Sequence, residues 1–137
     1  MQVPEGKILL SVVAPERKLL EELVDEIVLP GSEGYLGVLP GHAPLLTALQ
    51  IGELSYREGG RWHYGFVSGG FVEVLPDRVS VLANVGELAG EIDVDRAHAA
   101  SRRAGKRLKS PSEDLDWDRA RAALERAISR IHVAGHK

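Results

Sequence analysis

The spacing of apolar residues changes near residue 91, and this change constrains the fold more than any other feature of the 137-residue chain. Before it, short apolar runs alternate with glycine, proline and acidic residues, a pattern typical of short β-strands. After it, apolar residues recur at steps of three and four, which place them on one face of an α-helix. We therefore predict a β domain over residues 1–89 and a helical domain over residues 90–137.

The β domain is predicted to contain many short strands joined by tight turns. Glu58-Gly59-Gly60 separates two apolar runs and is typical of a hairpin, because glycine tolerates the positive φ of primed turns. Pro76-Asp77 is a second turn signal. Strands at this spacing predict an antiparallel β-sandwich, or flattened barrel. The predicted strands are Ile8–Val13, Val24–Leu29, Leu45–Leu49, Glu53–Arg57, Trp62–Val67, Phe71–Leu75 and Val79–Ala83.

The helical domain is predicted to be two helices joined by a short loop. Asp93 and Asp116 are the expected N-caps, because an aspartate side chain accepts from the free N–H groups of a first helical turn. The loop, Ser110-Pro111-Ser112-Glu113-Asp114, is short enough to predict an antiparallel hairpin. The expected contact faces are Val94, Ala97, Ser101, Ala104 and Leu108 in the first helix and Trp117, Ala120, Leu124, Ala127, Ile128 and Ile131 in the second.

The alanines in these faces have two interpretations. Alanine buries little apolar area, so the hairpin would be held weakly and could open or leave the β domain. Alternatively, alanine simply allows the two helices to pack closely. The sequence pattern leaves both interpretations open.

The net charge of −3 is the sum of two opposite charges. Residues 1–90 carry 6 basic and 12 acidic side chains, a net of −6, whereas residues 91–137 carry 11 basic and 8 acidic side chains, a net of +3. An acidic β domain without a nucleophile–base set favours an interaction module over an enzyme. The absence of cysteine excludes disulfides, a thiol nucleophile and thiolate metal sites. The longest uncharged stretch, which includes Leu36–Gly52 and lies between Glu33 and Glu53, contains prolines and glycines, so it is not expected to span a membrane.

The five histidines are scattered along the chain, so no catalytic residue is predicted. His132 and His136 lie four residues apart and could form a metal-binding pair on one helix face. The alternative is a frayed C-terminal turn without a ligand, and this is the interpretation we adopt. No metal site is therefore expected.

Arginines in the helical domain suggest a site for a polyphosphate. Arg96 and Arg103 are seven residues apart and share one helix face, while Arg126 and Arg130 are four apart in the second helix. An antiparallel hairpin could bring the four guanidinium groups together, and arginine binds phosphate oxygens in a bidentate manner. The alternative is a solvated basic helix face, which is common for arginine-rich helices.

A family resemblance rests on three segments of the β domain. Gly34-Tyr35-Leu36-Gly37-Val38-Leu39-Pro40-Gly41-His42-Ala43-Pro44-Leu45 resembles the Gly-x-Leu-Gly-(Ile/Val)-x-Pro-Gly-His-x-Pro-Leu segment of the epsilon subunit of F-type ATP synthase. Val67–Val74 and Val79–Ala83 match this family in the expected order, and a helical hairpin follows as the family requires.

The resemblance implies a non-catalytic rotor subunit whose β-sandwich lies at the foot of the central stalk, against the gamma subunit and the ring of c subunits. His42 matches a family histidine near the gamma contact. Tyr35 replaces a residue that is often acidic or polar, which disfavours an ionic contact with the ring there. The residues matching the c-ring-facing loop are Gly31, Ser32, Glu33, Gly34 and Tyr35.

The resemblance also implies a regulatory ATP site, with no cofactor required. Ile92-Asp93-Val94-Asp95-Arg96-Ala97 matches the Ile/Leu-Asp-x-x-Arg-Ala motif of family members that bind ATP. Asp93 and Glu87 would contact adenine or ribose, and Ala97 would leave space for the ring. The remaining positions that match phosphate contacts, together with Arg96 of the motif, are Arg103, Arg126 and Arg130.

The resemblance further implies that the extended helices contact the beta and alpha subunits and block ATP hydrolysis. It also implies a peripheral membrane protein, held at the cytoplasmic face of the bacterial membrane by the rest of the complex. The alternative function is a nucleic-acid-binding module that uses the arginine-rich hairpin. An isoelectric point near 5.9 argues against it, and so do helices whose one tryptophan, Trp117, is expected on the helix–helix contact face. No nucleic acid partner is therefore expected.

Overall fold

The computed structural model describes residues 2–110, 112 and 114–136 of the chain. Its β part contains eight strands, and its helical part contains a single 3₁₀ turn, Ala89–Glu91, followed by two α-helices. The strands are β1 (Ile8–Ala14), β2 (Arg17–Val24), β3 (Glu26–Gly31), β4 (Gly34–Val38), β5 (Leu45–Ala48), β6 (Ile51–Glu58), β7 (Arg61–Val74) and β8 (Arg78–Leu88). The helices are α1 (Val94–Lys109) and α2 (Trp117–Ala134).

The strands form one sheet in the order β2-β1-β8-β7-β6-β3-β4, and β5 pairs with β7. All pairs are antiparallel except β1 with β8, which is parallel. Strand β2, at one end of this order, also contacts β6. The sheet therefore folds over on itself and encloses an apolar core, as expected for a flattened barrel.

The core follows the strand alternation that the sequence predicts. Val72 and Val74 are fully buried while Glu73 between them is exposed, because successive side chains of a strand point to opposite faces. Both predicted hairpin turns are present. Gly59 and Gly60 have φ values of +59° and +80° between β6 and β7, and Pro76-Asp77 joins β7 to β8.

Strand β2 is absent from the sequence prediction. In Arg17–Val24 only Leu20 and Val24 are buried, and charged side chains occupy half of the strand. Because β2 is at the end of the strand order, these charges can point to solvent, and the segment lacks the alternation of a typical strand. The predicted strand Val24–Leu29 is also wrong at its start, because it joins the last residue of β2 to β3. Val24 ends β2, and β3 begins at Glu26.

The predicted strands Trp62–Val67 and Phe71–Leu75 are parts of one 14-residue strand, β7. The two glycines between them, Gly69 and Gly70, have positive φ, yet the register with β8 is the same on both sides. At Gly70 a Cβ atom would lie 2.0 Å from the carbonyl oxygen of Leu82. This glycine therefore marks a close approach of two backbones and not a chain reversal. Strand β8 is also longer than predicted and continues to Leu88.

Both predicted helix caps are confirmed. The Asp93 carboxylate accepts from the Arg96 amide and the Asp116 carboxylate from the Arg119 amide, each at 3.0 Å. Helix α1 ends at Lys109, as the predicted loop requires. Of that loop, Pro111 and Glu113 lie outside the described residues.

Helices α1 and α2 pack through small residues. Ala97 and Ala104 of α1 are buried, as are Ala120, Ala127 and Ala134 of α2. Both sets repeat every seven residues, which keeps them on one helix face. Trp117 and Ile128 were predicted on this face, but they are 46% and 53% exposed. Trp117 lies in the first turn, and Ile128 lies about 100° around the helix from Ala127.

Helix α2 lies between α1 and the sheet, where it contacts β6 and β7. Its last turn contributes Val133 and Ala134 to a second apolar cluster with Phe66 and Ile92. Among the described residues, neither helix combines the length and the apolar character needed to cross a membrane.

Candidate functional site

A cavity of about 290 Å³ lies where β8, α1 and α2 meet. Three arginines and two carboxylates contribute to its wall, and two alanines leave space for a ligand. It is lined by Glu87, Asp93, Arg96, Ala97, Ala100, Arg103 and Arg130. Because Arg96 lies near the start of α1 and Arg130 near the end of α2, the helices run antiparallel, as predicted.

Arg130 is held on the cavity wall by two contacts. Its Nε donates to Oε1 of Glu87 at 2.6 Å, and its guanidinium carbon lies 4.5 Å from the centre of the Phe66 ring. Phe66 and Glu87 are direct cross-strand partners on β7 and β8. The strand register therefore places an aromatic ring and a carboxylate side by side, and Arg130 of α2 contacts both. Within the described residues the two terminal nitrogens of this guanidinium make no ion pair or hydrogen bond, so they can contact a ligand.

Arg96 and Arg103 bring further positive charge to the cavity. Both are exposed, and neither makes an ion pair within the part of the chain that the structure describes. The nearby carboxylate of Asp93 caps α1 through Oδ1, which leaves its second oxygen open to a ligand. The cavity thus combines unpaired cations with a hydrogen-bond acceptor at a helix N-terminus.

The structure brings together six of the eight residues predicted for this site and places the other two elsewhere. Ile92 is 5% exposed and belongs to the second apolar cluster, so it packs against the sheet and α2 just before α1 begins. Arg126 is not among the residues that line the cavity. Ala100 lines it without having been predicted. Its position four residues after Arg96 and three before Arg103 could have indicated it, because these positions share a helix face.

The predicted loop Gly31–Tyr35 is the tip of a β-hairpin. Gly31 ends β3, Gly34 begins β4, and Ser32 and Glu33 form the turn. With residues of β5, the tip lines a groove of about 350 Å³. Tyr35 is 63% exposed, and its hydroxyl accepts from the Glu53 amide at 3.1 Å.

His42 lies outside that groove, between β4 and β5. It is half-buried, and its Nδ1 lies 2.7 Å from the carbonyl oxygen of Ala43. A carbonyl only accepts, so Nδ1 carries the proton in this contact.

An apolar row crosses four strands on the outer face of the sheet. Ala48 of β5 is paired with Phe71 of β7, Phe71 with Leu82 of β8, and Leu82 with Val13 of β1. Phe71 is 59% exposed and Leu82 is 58% exposed. Adjacent exposed apolar side chains of this size are typical of a surface that binds another protein.

The segment that links sheet and helices is fixed by an ion pair. Oε1 of Glu91 accepts from Arg17 of β2 at 2.8 Å and from the Leu88 amide at 2.9 Å. These contacts lower the pKa of Glu91, the Arg17 hydrogen bond most of all, and that same hydrogen bond raises the pKa of Arg17. The link between the two parts of the chain is thus anchored to the edge of the sheet.

Comparison with known proteins covers both parts of the chain. Residues 7–89 match the family described as "ATP synthase, Delta/Epsilon chain, beta-sandwich domain". Residues 91–135 match "ATP synthase, Delta/Epsilon chain, long alpha-helix domain". The chain belongs to the ATP synthase delta/epsilon chain family.

Relatives in this family are similar over nearly their whole length. The ATP synthase epsilon chain of Syntrophobacter fumaroxidans is 52% identical over 128 residues, which cover 93% of this chain and 96% of the relative. That of Nitratidesulfovibrio vulgaris is 48% identical over 132 residues, covering 96% and 98%. A chain in the Euglena gracilis mitochondrial ATP synthase structure (OSCP/F1/c-ring, rotational state 1) has a TM-score of 0.81 at 26% identity, covering 100% of this chain and 85% of that one.

Membership of the delta/epsilon chain family identifies the chain as an epsilon subunit of ATP synthase, part of the central stalk and not catalytic by itself. As part of this complex it is peripheral to the membrane. The alternative of a nucleic-acid-binding module is not favoured, because both parts of the chain match the ATP synthase family.

Proposed function

We propose that this epsilon subunit couples the c-ring to the catalytic head at the cytoplasmic face of a bacterial membrane, and that its helical hairpin binds ATP as a regulatory ligand. The observation that carries the ATP proposal is the convergence of Arg96, Arg103 and Arg130 on one cavity beside the N-terminus of α1. Arginine forks and helix N-termini both favour phosphate oxygens.

The cavity wall supports separate roles for its residues. Arg103 and Arg96 have no internal ion-pair partner among the described residues, so a polyphosphate would neutralise charge without breaking a contact there. Ala97 and Ala100 line the cavity with small side chains, which suits the flat ring of a nucleobase. The free oxygen of Asp93 can accept from a ribose hydroxyl or an adenine amino group.

ATP would act as a regulator because its site is formed from both helices. Arg96 and Arg103 belong to α1, whereas Arg130 belongs to α2 and is fixed to β8 through Glu87. A ligand that contacts all three binds only the docked hairpin, and it shifts the equilibrium toward that state by its differential affinity. The undocked hairpin, with net positive charge, would reach acidic surface on the beta and alpha subunits and inhibit hydrolysis.

The β domain offers two surfaces for the other stalk partners. The groove at Gly31–Tyr35 is the proposed contact with the c-ring, where the exposed Tyr35 ring can pack against another protein. The row of Phe71 and Leu82, with His42 on the segment before β5, is the proposed contact with gamma.

Isothermal titration calorimetry of the full chain with ATP, without Mg²⁺, tests the nucleotide site. We expect saturable binding that Arg103→Ala weakens by about tenfold or more, because a charge-assisted contact of about 1.5–3 kcal/mol is lost. Arg102→Ala is the matched control, since Arg102 is exposed on α1 but does not line the cavity. No heat at millimolar ATP, or equal affinity of Arg103→Ala and wild type, would contradict the proposal.

A further inference from the structure

We propose that Glu53, His132 and His136 form a site for a divalent transition-metal ion of the zinc type, separate from the nucleotide cavity. One ligand atom from each residue lies within 4.8 Å of the others. Nε2 of His132 is 3.4 Å from Oε2 of Glu53, and Nε2 of His136 is 2.5 Å from Oε1 of the same carboxylate. Two imidazoles thus face one carboxylate.

Strand β6 and the C-terminal end of α2 create this arrangement. Glu53 projects from β6 between the buried Gly52 and Leu54. His132 lies in the last turn of α2, and His136 follows the C-cap residue Gly135. The four-residue spacing places both rings on the same side of the helix end. The histidine spacing alone favoured a frayed turn without a ligand, and the contribution of Glu53 becomes visible only in the folded chain.

The carboxylate of Glu53 has no lysine or arginine partner within the described residues. Its Oε1 is buried and, within the described residues, has no hydrogen-bond partner of acceptable geometry, although His136 Nε2 lies nearby. Its ion-pair partners in the described part of the chain are the two histidines, with no lysine or arginine among them. A buried carboxylate oxygen without a well-formed hydrogen bond is destabilising. A cation between Glu53 and the two rings would satisfy it.

Ring contacts hold the histidines in place before a metal arrives. His136 stacks on Tyr64 of β7 with ring centres 3.6 Å apart and planes inclined by 9°. The His132 ring meets the His136 ring edge to face, with centres 5.1 Å apart. These contacts reduce the loss of side-chain freedom on binding. The C-terminal end of α2 also favours a nearby cation through its dipole.

The donor set selects the class of metal. Two imidazole nitrogens, one carboxylate oxygen and an open side toward solvent match a three-ligand zinc site completed by water. Calcium and magnesium prefer oxygen ligands throughout. In a tetrahedral site with bonds of about 2.0–2.2 Å, ligand atoms lie about 3.3–3.6 Å apart, which the His132–Glu53 distance of 3.4 Å already meets. The His136 contact is made to the other carboxylate oxygen, Oε1, and at 2.5 Å it is shorter than such a separation, so this imidazole would move away from the oxygen when the ion enters.

A metal ion at this position would fasten the end of α2 to β6. The ion would bind only the folded chain in which α2 is docked on the sheet, so it would stabilise this state relative to the undocked and unfolded states. This effect does not require ATP, because none of the three ligands lines the nucleotide cavity. The metal site and the nucleotide site can therefore be tested separately.

Calorimetric titration of ZnCl₂ into untagged, full-length protein at about pH 7.5, where unperturbed imidazoles are mostly neutral, tests the proposal without nucleotide. We expect one ion per chain, a higher Tm with Zn²⁺, and no response to Mg²⁺. Glu53→Gln and His132→Gln should each weaken binding by about tenfold or more and abolish the Tm increase. His98→Gln is the matched control, because His98 is exposed on α1 outside the cluster.

The His132→Gln variant should fold normally, because the His132 side chain is 66% exposed and its replacement removes little packing. A loss of metal binding in this variant therefore reports on the ligand and not on misfolding. Co²⁺ should give the ligand-field absorption of a tetrahedral complex with wild type and lose it in His132→Gln. No saturable Zn²⁺ binding by wild type would overturn the proposal. Undiminished binding by His132→Gln, or an equal loss in His98→Gln, would also overturn it.

Discussion

Nε of Arg130 donates a hydrogen bond to Oε1 of Glu87 across 2.6 Å, which joins α2 to β8 over 43 residues of sequence. Both side chains are less than one third exposed. The same guanidinium covers Phe66, the cross-strand neighbour of Glu87. The contact therefore does two things: it fixes the end of the hairpin on the sheet, and it completes the cavity that Arg96 and Arg103 open into.

The Arg130–Glu87 pair should show measurable coupling in a double-mutant cycle. We expect Glu87→Gln and Arg130→Met each to lower the free energy of unfolding, with a coupling energy of about 1 kcal/mol. The reason is that a partly buried charge-assisted hydrogen bond stabilises a protein more than an exposed surface ion pair does. Met retains apolar contact with Phe66. Urea unfolding of the two single variants, the double variant and wild type measures it. Additive effects would show that the pair contributes nothing beyond its separate side chains.

Gly70→Ala should destabilise the β domain strongly. The new Cβ would lie 2.0 Å from the Leu82 carbonyl oxygen, and the φ of +116° disfavours any side chain. We expect a loss of about 2 kcal/mol or more in the free energy of unfolding. Gly37→Ala serves as the control, since no atom lies within 4 Å of its added Cβ. Urea titration followed by circular dichroism compares them, and equal stability of the two variants would refute the steric argument.

The pH dependence of stability should include a contribution from Glu91. Its folded-state pKa is lowered below the ordinary value of 4.5, chiefly by Arg17. A group with a lowered pKa stabilises the fold above its unfolded pKa, and this stabilisation disappears as the pH falls through the folded pKa. The stability difference between wild type and Glu91→Gln should therefore be constant above pH 4.5 and shrink below it.

Unfolding curves at a series of pH values measure this difference. Glu125→Gln is the control, because Glu125 is exposed on α2 and makes no ion pair among the described residues. A stability difference for Glu91→Gln that is independent of pH would show that the carboxylate charge is not involved.

The exposed apolar row on the sheet should contribute to gamma binding. We expect Phe71→Ser to weaken binding to purified gamma subunit by about tenfold or more, because burial of an aromatic side chain contributes about 1.5–3 kcal/mol. The fold should tolerate the change, since Phe71 is 59% exposed. Ile128→Ser alters a similarly exposed apolar residue on α2 and is the control. Calorimetry with gamma measures both, and unchanged affinity of Phe71→Ser would remove this row from the contact.

Removal of residues 91–137 should raise ATP hydrolysis by the assembled complex if the hairpin inhibits it. The β domain retains its own enclosed core without these residues, although Phe66 becomes exposed. Gel filtration of the reconstituted complex checks that the shortened subunit assembles. Hydrolysis at the wild-type rate by a fully assembled complex would argue against an inhibitory role.

Local features of the fold could be predicted because neighbouring residues determine them. Asp93 and Asp116 cap helices through amides three residues away, and Gly59-Gly60 closes a hairpin between adjacent strands. Strand β2 was missed for the opposite reason. Its polar pattern becomes a strand only because β1 supplies its hydrogen bonds.

The sequence by itself determined the change from β to helical structure, the caps, and the face of α1 that carries Arg96 and Arg103. Only the tertiary structure decided which distant residues complete each site. It placed Arg130 in the cavity but left Arg126 outside it, and it brought Glu53 of β6 to His132 and His136. Helix periodicity defines a face but not the partner that this face meets. The docking of α2 on β6 and β7, set by the burial of Phe66, Val133 and Ala134, selects that partner.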